Sequence, residues 1–312
     1  MKGLVIKNTG SWVTVRLDDG TEVNCKMRGV LRLKGMRCTN PVAVGDRVQL
    51  EDKGDGAAPV VSDIEPRKNY IIRRASNLSK EFQIIAANLD QAVLVATIIN
   101  PETSTTFIDR FLATAEAYQV PAVLVFNKVD LLVTEESRQY LDELKAMYEA
   151  IGYQVIAMSA TTGIGTEGLH EMLSGKMSLL SGNSGVGKSS IINLLVPDAH
   201  VRVGDVSKTH HKGMHTTTFS ELLDLPGGGS IIDTPGVKAF GTIDFEKAQV
   251  AHYFPEIFKV SENCRFNNCT HTHEPGCAVL DAVERGDIAP SRFASYLSII
   301  DEDPDNKYRK PF

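Results

Sequence analysis

No stretch of this chain is long and apolar enough to cross a bilayer as a helix. The longest apolar run, AVLVATII at 92–99, is already interrupted by Thr97, and a span needs roughly 20 apolar residues. The first residues, MKGLVIKNTGSWV, lack both an apolar core and a small-residue cleavage site, so neither a secretory signal nor a membrane partner is expected. Cysteine is scarce, five in 312 residues, and three of the five crowd into the 14 residues 264–277 beside histidines. That pattern speaks against a disulfide framework and for a metal site in a reducing cytoplasm. Tryptophan occurs once, at position 12, and neither a long repeat nor a low-complexity segment is found.

An overall excess of positive charge is missing as well, since the formal net charge is −6. The distribution is more informative than the total. Residues 1–75 hold 14 Lys and Arg against nine Asp and Glu, a local net charge of +5, while the remainder holds 19 against 30. A basic module on an acidic chain fits either RNA or DNA contact or an ordinary solvated surface.

Within residues 1–65, short runs alternate with period 2 between turn signals: GLVIK, SWVTVRL, TEVNCKM, VGDRVQLED and PVVSDIE. Hairpin loops at NTG and DDG and several short strands predict a small all-β barrel, of which the oligonucleotide-binding (OB) barrel is one form. Trp12 shares a strand face with Thr14 and Arg16, opposite Val13, Val15 and Leu17. It either stacks on a base or packs over a barrel edge.

From about residue 80 apolar runs alternate with helical segments, which predicts a parallel sheet covered on both faces. Two more strand candidates, SELLDL and GSIIDTPG, follow an irregular stretch at 197–220. The last 70 residues read as a third unit: a helix over DFEKAQVAHYFPEIFKV, a Cys/His cluster, and two further helices. The expected division is 1–72, 73–242 and 243–312.

The chemistry resides in five motifs. GNSGVGKS fits the phosphate-loop pattern, after a strand (MSLL) and before a helix (SIINLL). In it Gly182, Asn183, Ser184, Gly185, Val186, Gly187, Lys188, Ser189 and Ser190 would wrap a phosphate with backbone N–H groups. Lys188 would reach the β- and γ-phosphates and Ser189 would ligate Mg²⁺. In IIDTPG, Asp233 ends an apolar strand where it can hold Mg²⁺ through water, and Gly236 can offer its N–H to a γ-phosphate. NKVD follows the strand AVLVF. The carboxylate of Asp130 can accept from guanine N1–H and N2–H₂, a donor pair adenine lacks, with Asn127 and Lys128 bracing the loop and the purine face. SAT at 159–161 supplies a second base loop through Ser159 and Ala160.

These parts occur in the order base reader, second base loop, phosphate loop, switch, DTPG. That order is a circular permutation, which a three-dimensional site tolerates where chain ends lie close at the surface. The switch, KTHHKGMHTTTFSE at 208–221, offers Thr216, Thr217 or Thr218 to complete the Mg²⁺ shell, with Thr217 preferred. Val237 follows DTPG where many GTPases carry a water-orienting Gln. Slow intrinsic hydrolysis is therefore expected, with a partner completing the site; His215 is the nearest polar candidate by spacing. Last, Cys264, Cys269, His271 and Cys277 form C-x₄-C-x-H-x₅-C, a soft donor set suited to one structural Zn²⁺, with His273 as an alternative fourth ligand.

A basic β-barrel, a permuted GTPase carrying GxHTTT and DTPGV, and a C-x₄-C-x-H-x₅-C segment together resemble the ribosome small-subunit-dependent GTPase family RsgA, also called YjeQ or YloQ. The resemblance spans essentially the whole chain. It implies an α/β protein, with a permuted phosphate-loop GTPase domain between an N-terminal OB barrel and a C-terminal helical zinc-binding domain. It further implies a cytoplasmic monomer that binds GTP or GDP with Mg²⁺, contacts the 30S subunit and its 16S rRNA, and hydrolyses GTP under 30S stimulation late in subunit assembly. The catalytic set would be His215, Lys188 and Thr217, the histidine by analogy with that of GxHTTT. Gly185 stands where other translation-related GTPases carry a potassium-binding Asn, so no potassium site is expected. Outside the resemblance, an ATP-using enzyme and a non-catalytic RNA-binding module are the competing readings.

Overall fold

The computed structural model describes residues 1–27, 38–52, 54, 56–74, 82–199, 220–233 and 246–301. Near the N-terminus the alternating segments become β1 (Lys2–Asn8), β2 (Trp12–Leu17) and β3 (Glu22–Met27), then a short β4 (Cys38–Asn40), β5 (Arg47–Glu51) and β6 (Val60–Ile64). Five of them pair in the order β1-β2-β3-β6-β5, and β5 pairs back to β1, which closes a barrel and leaves no free edge. Val5, Val13, Val15, Cys25, Val48, Leu50 and Val61 point inward and fill it. The alternation places Trp12, Thr14 and Arg16 on the outside.

Next come β7 (Tyr70–Arg74) and β8 (Phe82–Ala87), which with β4 form a separate three-stranded sheet ordered β4-β8-β7. Sequence reading missed this sheet. Neither YIIRR nor FQIIAA shows the period-2 alternation that marks the barrel strands, and their partner β4 is only three residues long.

The central unit runs β9 (Gln91–Ala96), α1 (Thr105–Ala117), β10 (Ala122–Phe126), α2 (Glu135–Ile151), β11 (Gln154–Ala157), α3 (Thr166–Leu173), β12 (Met177–Gly182), α4 (Lys188–Leu195), β13 (Ser220–Asp224) and β14 (Ser230–Asp233). Its sheet has the order β11-β10-β9-β12-β14-β13, parallel throughout except for β13. All six residues of β9 are buried, as a strand with helices on both faces requires. On one face Leu94, Ala96, Leu124 and Phe126 pack under α1 and α2 with Ile108, Leu112 and Tyr148. On the other, Val93, Val95, Val123 and Val125 pack under α3 and α4 with Leu169, Ile191 and Leu195. The permutation is visible in this order: the chain leaves edge strand β11, runs through α3, and returns to the sheet centre as β12.

Helix starts follow their capping residues. Ser104 accepts from Phe107 N at the start of α1, and Thr134 accepts from Ser137 N at the start of α2, where Glu135 and Glu136 also favour the helix dipole. The single helix expected over 244–260 is instead two pieces, a 3₁₀ stretch at 247–253 and α5 (Pro255–Ser261). Pro255 is the cause. Its ring disfavours helical geometry at the preceding residue, and Phe254 accordingly sits at φ −122°, ψ 92°. The last helices are α6 (Ala278–Arg285) and α7 (Pro290–Ile300).

Two seams join these units. At the first, β1 pairs antiparallel with β13 (Lys7 opposite Glu221, Asn8 opposite Ser220), so barrel and central sheet are continuous. Ion pairs Lys7–Glu221 (3.0 Å) and Arg16–Asp224 (2.7 Å) flank it. At the second, Arg292 of α7, wholly buried, forms an ion pair with Asp109 of α1 (2.8 Å) and a two-pronged one with Glu256 of α5 (2.7 and 3.1 Å). Tyr148 Oη of α2 donates to the same Asp109 oxygen at 2.8 Å. Burial works against the charge on Arg292, but Asp109 and Glu256 outweigh it and raise its pKa above the ordinary value.

Removing one partner of such a buried pair strands the others in a low-dielectric interior. Arg292→Leu is therefore expected to lower unfolding stability by about 3–5 kcal/mol. Arg285→Leu, which removes an exposed ion pair with Asp287, should cost less than about 1 kcal/mol. Urea denaturation of both variants checks this; equal, small losses would mean that Arg292 does not hold α7 to α1.

Candidate functional site

Strand β12 ends at Gly182, and the chain then wraps back on itself before α4 begins at Lys188. Two glycines make the wrap possible. Gly182 has φ +146° and a Cβ there would collide with the Val95 carbonyl; Gly187 has φ +98° and a Cβ there would collide with the Asn127 carboxamide. Only glycine tolerates both the backbone geometry and the approach. Ser189 and Ser190 follow Lys188 in the first turn of α4.

The base-reading loop is joined to this loop through Asn127, which is 4 % exposed. Its Nδ2 donates to the carbonyl of Val186 (2.8 Å), and its Oδ1 accepts from Ala160 N (3.1 Å). One carboxamide thus ties the end of β10 to the phosphate loop after β12 and to the SAT segment after β11. Lys128 adopts φ +65° and its Nζ donates to Asn100 O (2.5 Å). Ser159, wholly buried, shapes its own loop by accepting from Thr162 N (3.1 Å) and donating its N–H to Ile164 O (2.9 Å).

Asp130 lies in the 3₁₀ turn Val129–Leu131, and its Oδ1 is buried with no hydrogen-bond partner among the described residues. A buried carboxylate oxygen without a donor is costly, and a guanine Watson–Crick edge supplies donors of the kind it lacks. The ammonium of Lys188 is held by two carbonyls of its own loop, Gly182 O (2.6 Å) and Asn183 O (2.7 Å). Burial lowers its pKa, and Asp233 nearby opposes that shift. Asp233 closes β14, in register with Leu180 of β12, so the expected Mg²⁺-side carboxylate and the phosphate loop lie on adjacent strands. His215, Thr216, Thr217, Thr218, Gly236 and Val237 lie outside the described residues.

A second cluster lies before α6. The ligating atoms of Cys264, Cys269, His271 and Cys277 all fall within 4.8 Å of one another. Cys264 Sγ and Cys277 Sγ are 3.9 Å apart, and His271 Nδ1 is 3.6 and 3.4 Å from them. A tetrahedral ion with metal–sulfur bonds of about 2.3 Å sets its sulfurs about 3.8 Å apart, so the donors fit zinc in number, softness and spacing. Of the two histidines considered, His271 is in the cluster, at φ +58° and 2 % exposed. His273 is exposed to a neighbouring hydroxyl instead, with Nδ1 2.8 Å from Thr272 Oγ1.

Sequence reading missed what orders this cluster. Glu274 accepts from Thr270 N, Thr270 Oγ1, Thr272 N and His273 N at 2.5–3.1 Å, and so shapes the loop carrying His271. Its small burial would raise its pKa, but these bonds outweigh that and hold it well below the usual carboxylate range. Tyr296 Oη of α7 donates to Thr270 O (2.9 Å) from behind. An acidic residue inside a Thr/His-rich turn was the available signal for Glu274; Tyr296, distant in sequence, left none.

Comparison with known proteins agrees with this architecture. The family model for the RsgA GTPase matches residues 64–243, and that for the RsgA N-terminal domain matches residues 2–60. The small ribosomal subunit biogenesis GTPase RsgA of Porphyromonas gingivalis is 58 % identical over 316 residues, covering 100 % of both chains. Its counterpart from Bacteroides fragilis is 58 % identical over 312 residues with the same coverage. Among solved structures, YjeQ from Thermotoga maritima matches with 35 % identity and a TM-score of 0.78, over 99 % of each chain. The circularly permuted GTPase YloQ matches with 29 % identity and a TM-score of 0.73, over 99 % of this chain and 96 % of that one. With a glycine-rich loop before α4 braced by Asn127, a closed barrel before it and a Cys₃His cluster after it, this chain belongs to the RsgA family of circularly permuted GTPases.

Proposed function

We propose that this chain hydrolyses GTP in the service of small ribosomal subunit biogenesis, and that the 30S particle accelerates the hydrolysis late in assembly. The observation that carries the guanine assignment is the buried Asp130 Oδ1, without a hydrogen-bond partner among the described residues, in a loop locked to the phosphate loop by Asn127. The names of the full-length relatives support the subunit as partner. The 16S rRNA as the contacted component, a monomeric state and a cytoplasmic location accompany that reading, as does the division into domains 1–72, 73–242 and 243–312.

In this mechanism the N–H groups of Gly182–Ser190 cradle the phosphates, and Lys188 exchanges its two loop carbonyls for β- and γ-phosphate oxygens. Ser189, Thr217 and Asp233 are the residues to hold Mg²⁺, which when bound offsets the charge on the β- and γ-oxygens. Gly236 offers its N–H to the γ-phosphate, and Ser159 and Ala160 close over the base. His215 orients the attacking water, since Val237 beside DTPG cannot hydrogen-bond one. Cys264, Cys269, His271 and Cys277 hold one structural zinc ion.

Asp130→Asn is expected to weaken GTP binding and shift preference to xanthosine triphosphate, whose base carries a carbonyl where guanine has its amine. Competition binding reads this, and unchanged GTP affinity would remove Asp130 from base recognition. Freshly purified protein should contain one zinc per chain. Cys264→Ser or Cys277→Ser should lose it and expose residues from about 245 onward to protease, with the nucleotide-binding unit largely intact. Metal analysis with limited proteolysis tests this; metal-free wild-type protein with the same protease resistance would refute it.

Hydrolysis provides the test of the function itself. Partner-completed GTPase sites gain on the order of 10³–10⁵ in rate, so 30S subunits should stimulate strongly and 50S subunits far less. In the stimulated state His215→Ala should lower kcat with GTP affinity kept, whereas Lys188→Ala should lose binding and rate together. A wild type indifferent to 30S subunits would end the proposal.

A further inference from the structure

The outer face of the β2–β3 hairpin carries three cross-strand pairs: Trp12 opposite Lys26, Thr14 opposite Asn24, and Arg16 opposite Glu22. They are not equivalent. At the Arg16 end the charge is already neutralised, because Arg16 bonds both Glu22 (3.1 Å) and Asp224 of β13 (2.7 Å). At the Trp12 end Lys26 forms no ion pair among the described residues. The Trp12 indole is 41 % exposed, and Lys26 Nζ stands 5.1 Å from its ring centroid. Between the two ends Thr14 Oγ1 donates to Asn24 Oδ1 (2.9 Å), a polar strip with no aliphatic side chain. In sequence, the ten residues after Met27 add Arg28, Arg32, Lys34 and Arg37 and not one Asp or Glu.

An indole left in water on a polar strand face has no role in the barrel core, which Val13, Val15 and Cys25 fill from the other side of the same two strands. A flat aromatic face with a cation over it and polar hydrogen-bonding neighbours is the composition that stacks an unpaired base and neutralises its phosphate. It also lies on the barrel face that oligonucleotide-binding folds present to single strands. An apolar protein partner is less well matched, since among the described residues the side chains paired along this face (Lys26, Thr14, Asn24, Arg16 and Glu22) are all polar.

The position of the indole matters as much as its chemistry. Val13 lies opposite Asn8, and Asn8 lies opposite Ser220, the first residue of β13. Trp12 is one residue from that rung. Thr216–Thr218, the candidate Mg²⁺ ligands, immediately precede Phe219 and Ser220 in the chain.

We propose that Trp12 and Lys26 form a stacking platform for one unpaired RNA base, beside the point where the switch segment joins the sheet. The inference rests on the reading of the chain as a small-subunit GTPase and deepens it by naming the element the barrel recognises: an extruded or single-stranded nucleotide rather than a duplex groove.

Trp12 is the only tryptophan of the chain, so its fluorescence reports the site directly. Titrating full-length protein with an unstructured RNA of about 12 nucleotides, within the range that one OB barrel spans, should quench the emission saturably. A blunt duplex of equal length should quench it little. By anisotropy of the labelled strand, Trp12→Ala should lose roughly 5- to 150-fold in affinity, while Trp12→Phe, which can still stack, stays within a few-fold. Lys26→Gln should weaken binding and reduce the salt slope by about one. Sedimentation with 30S subunits should rank the variants in the same order, with basal GTP hydrolysis equal in all. Trp12→Ala binding both strand and subunit as tightly as wild type would overturn the platform while leaving subunit stimulation of the wild type intact. Weakened subunit binding with no quenching by the single strand would overturn it in favour of a protein contact. A wild type neither bound nor stimulated by subunits would instead fell the underlying functional reading.

Discussion

The carboxamide of Asn127 is the interaction on which the site depends. It donates to the glycine-rich loop after β12 and accepts from the SAT segment while its own residue begins the NKVD turn. Three loops far apart in sequence are thereby held at fixed distances from one another, in a position almost closed to water. This is possible because the sheet places the C-terminal ends of β10, β9 and β12 side by side. The requirement then propagates outward. Residue 187 must be glycine, since any side chain there would occupy the space of the carboxamide, and Lys188 begins its helix one residue later.

The same dependence explains how the permutation is accommodated. A binding site needs strands in a particular spatial order and is indifferent to the order in which the chain visits them. Leaving β11 at the edge and returning through α3 to β12 in the centre satisfies the site as well as the unpermuted path would. What changes is the neighbourhood of the new connections. Strand β13 is bonded to barrel strand β1 on one side and to β14, with its terminal Asp233, on the other. The barrel is thus a lateral extension of the nucleotide-binding sheet, and load on one reaches the other through backbone hydrogen bonds.

On the opposite flank the constraint is electrostatic. Arg292, Asp109, Glu256 and Tyr148 come from α7, α1, α5 and α2, and bury their charge together. Such a network contributes less net stability than its bonds suggest, because desolvation opposes it. Its geometry is nevertheless demanding: Arg292 reaches both carboxylates only when α1, α5 and α7 are in place, and Tyr148 of α2 adds its bond at Asp109. Together with Tyr296, which touches both the metal-cluster loop and the α5–α7 core, it sets the orientation of the Cys₃His cluster relative to the nucleotide-binding unit.

Much of this was legible in the residues themselves, for local reasons. Period-2 alternation in residues 1–65 marks strands because one barrel face is dry and the other wet. GNSGVGKS and NKVD mark loops because the tight wrap needs glycine at 182 and 187 and the bridge between the loops needs the Asn127 carboxamide; of DTPG only Asp233 lies among the described residues. The Cys/His cluster is legible because four soft ligands within 14 residues have few other uses. The sheet of β4, β7 and β8 was not legible, as neither long strand alternates and the third has three residues. Nor was the break before Pro255 seen in a pattern that otherwise read as one helix. The sequence also left open which histidine joins the three cysteines, and nothing in it showed which side chain stands over the Trp12 ring. Those choices rest on contacts between residues tens to hundreds of positions apart: Glu274 and Tyr296 shaping the turn of His271, Lys26 set opposite Trp12, Arg292 meeting Asp109 across 183 residues of chain. Local chemistry by itself determined the kinds of site this protein carries. Their placement, and the seams that join barrel, central sheet and Cys₃His cluster into one body, were decided only when distant segments packed, because pairing register and charge burial have no signature in any one segment.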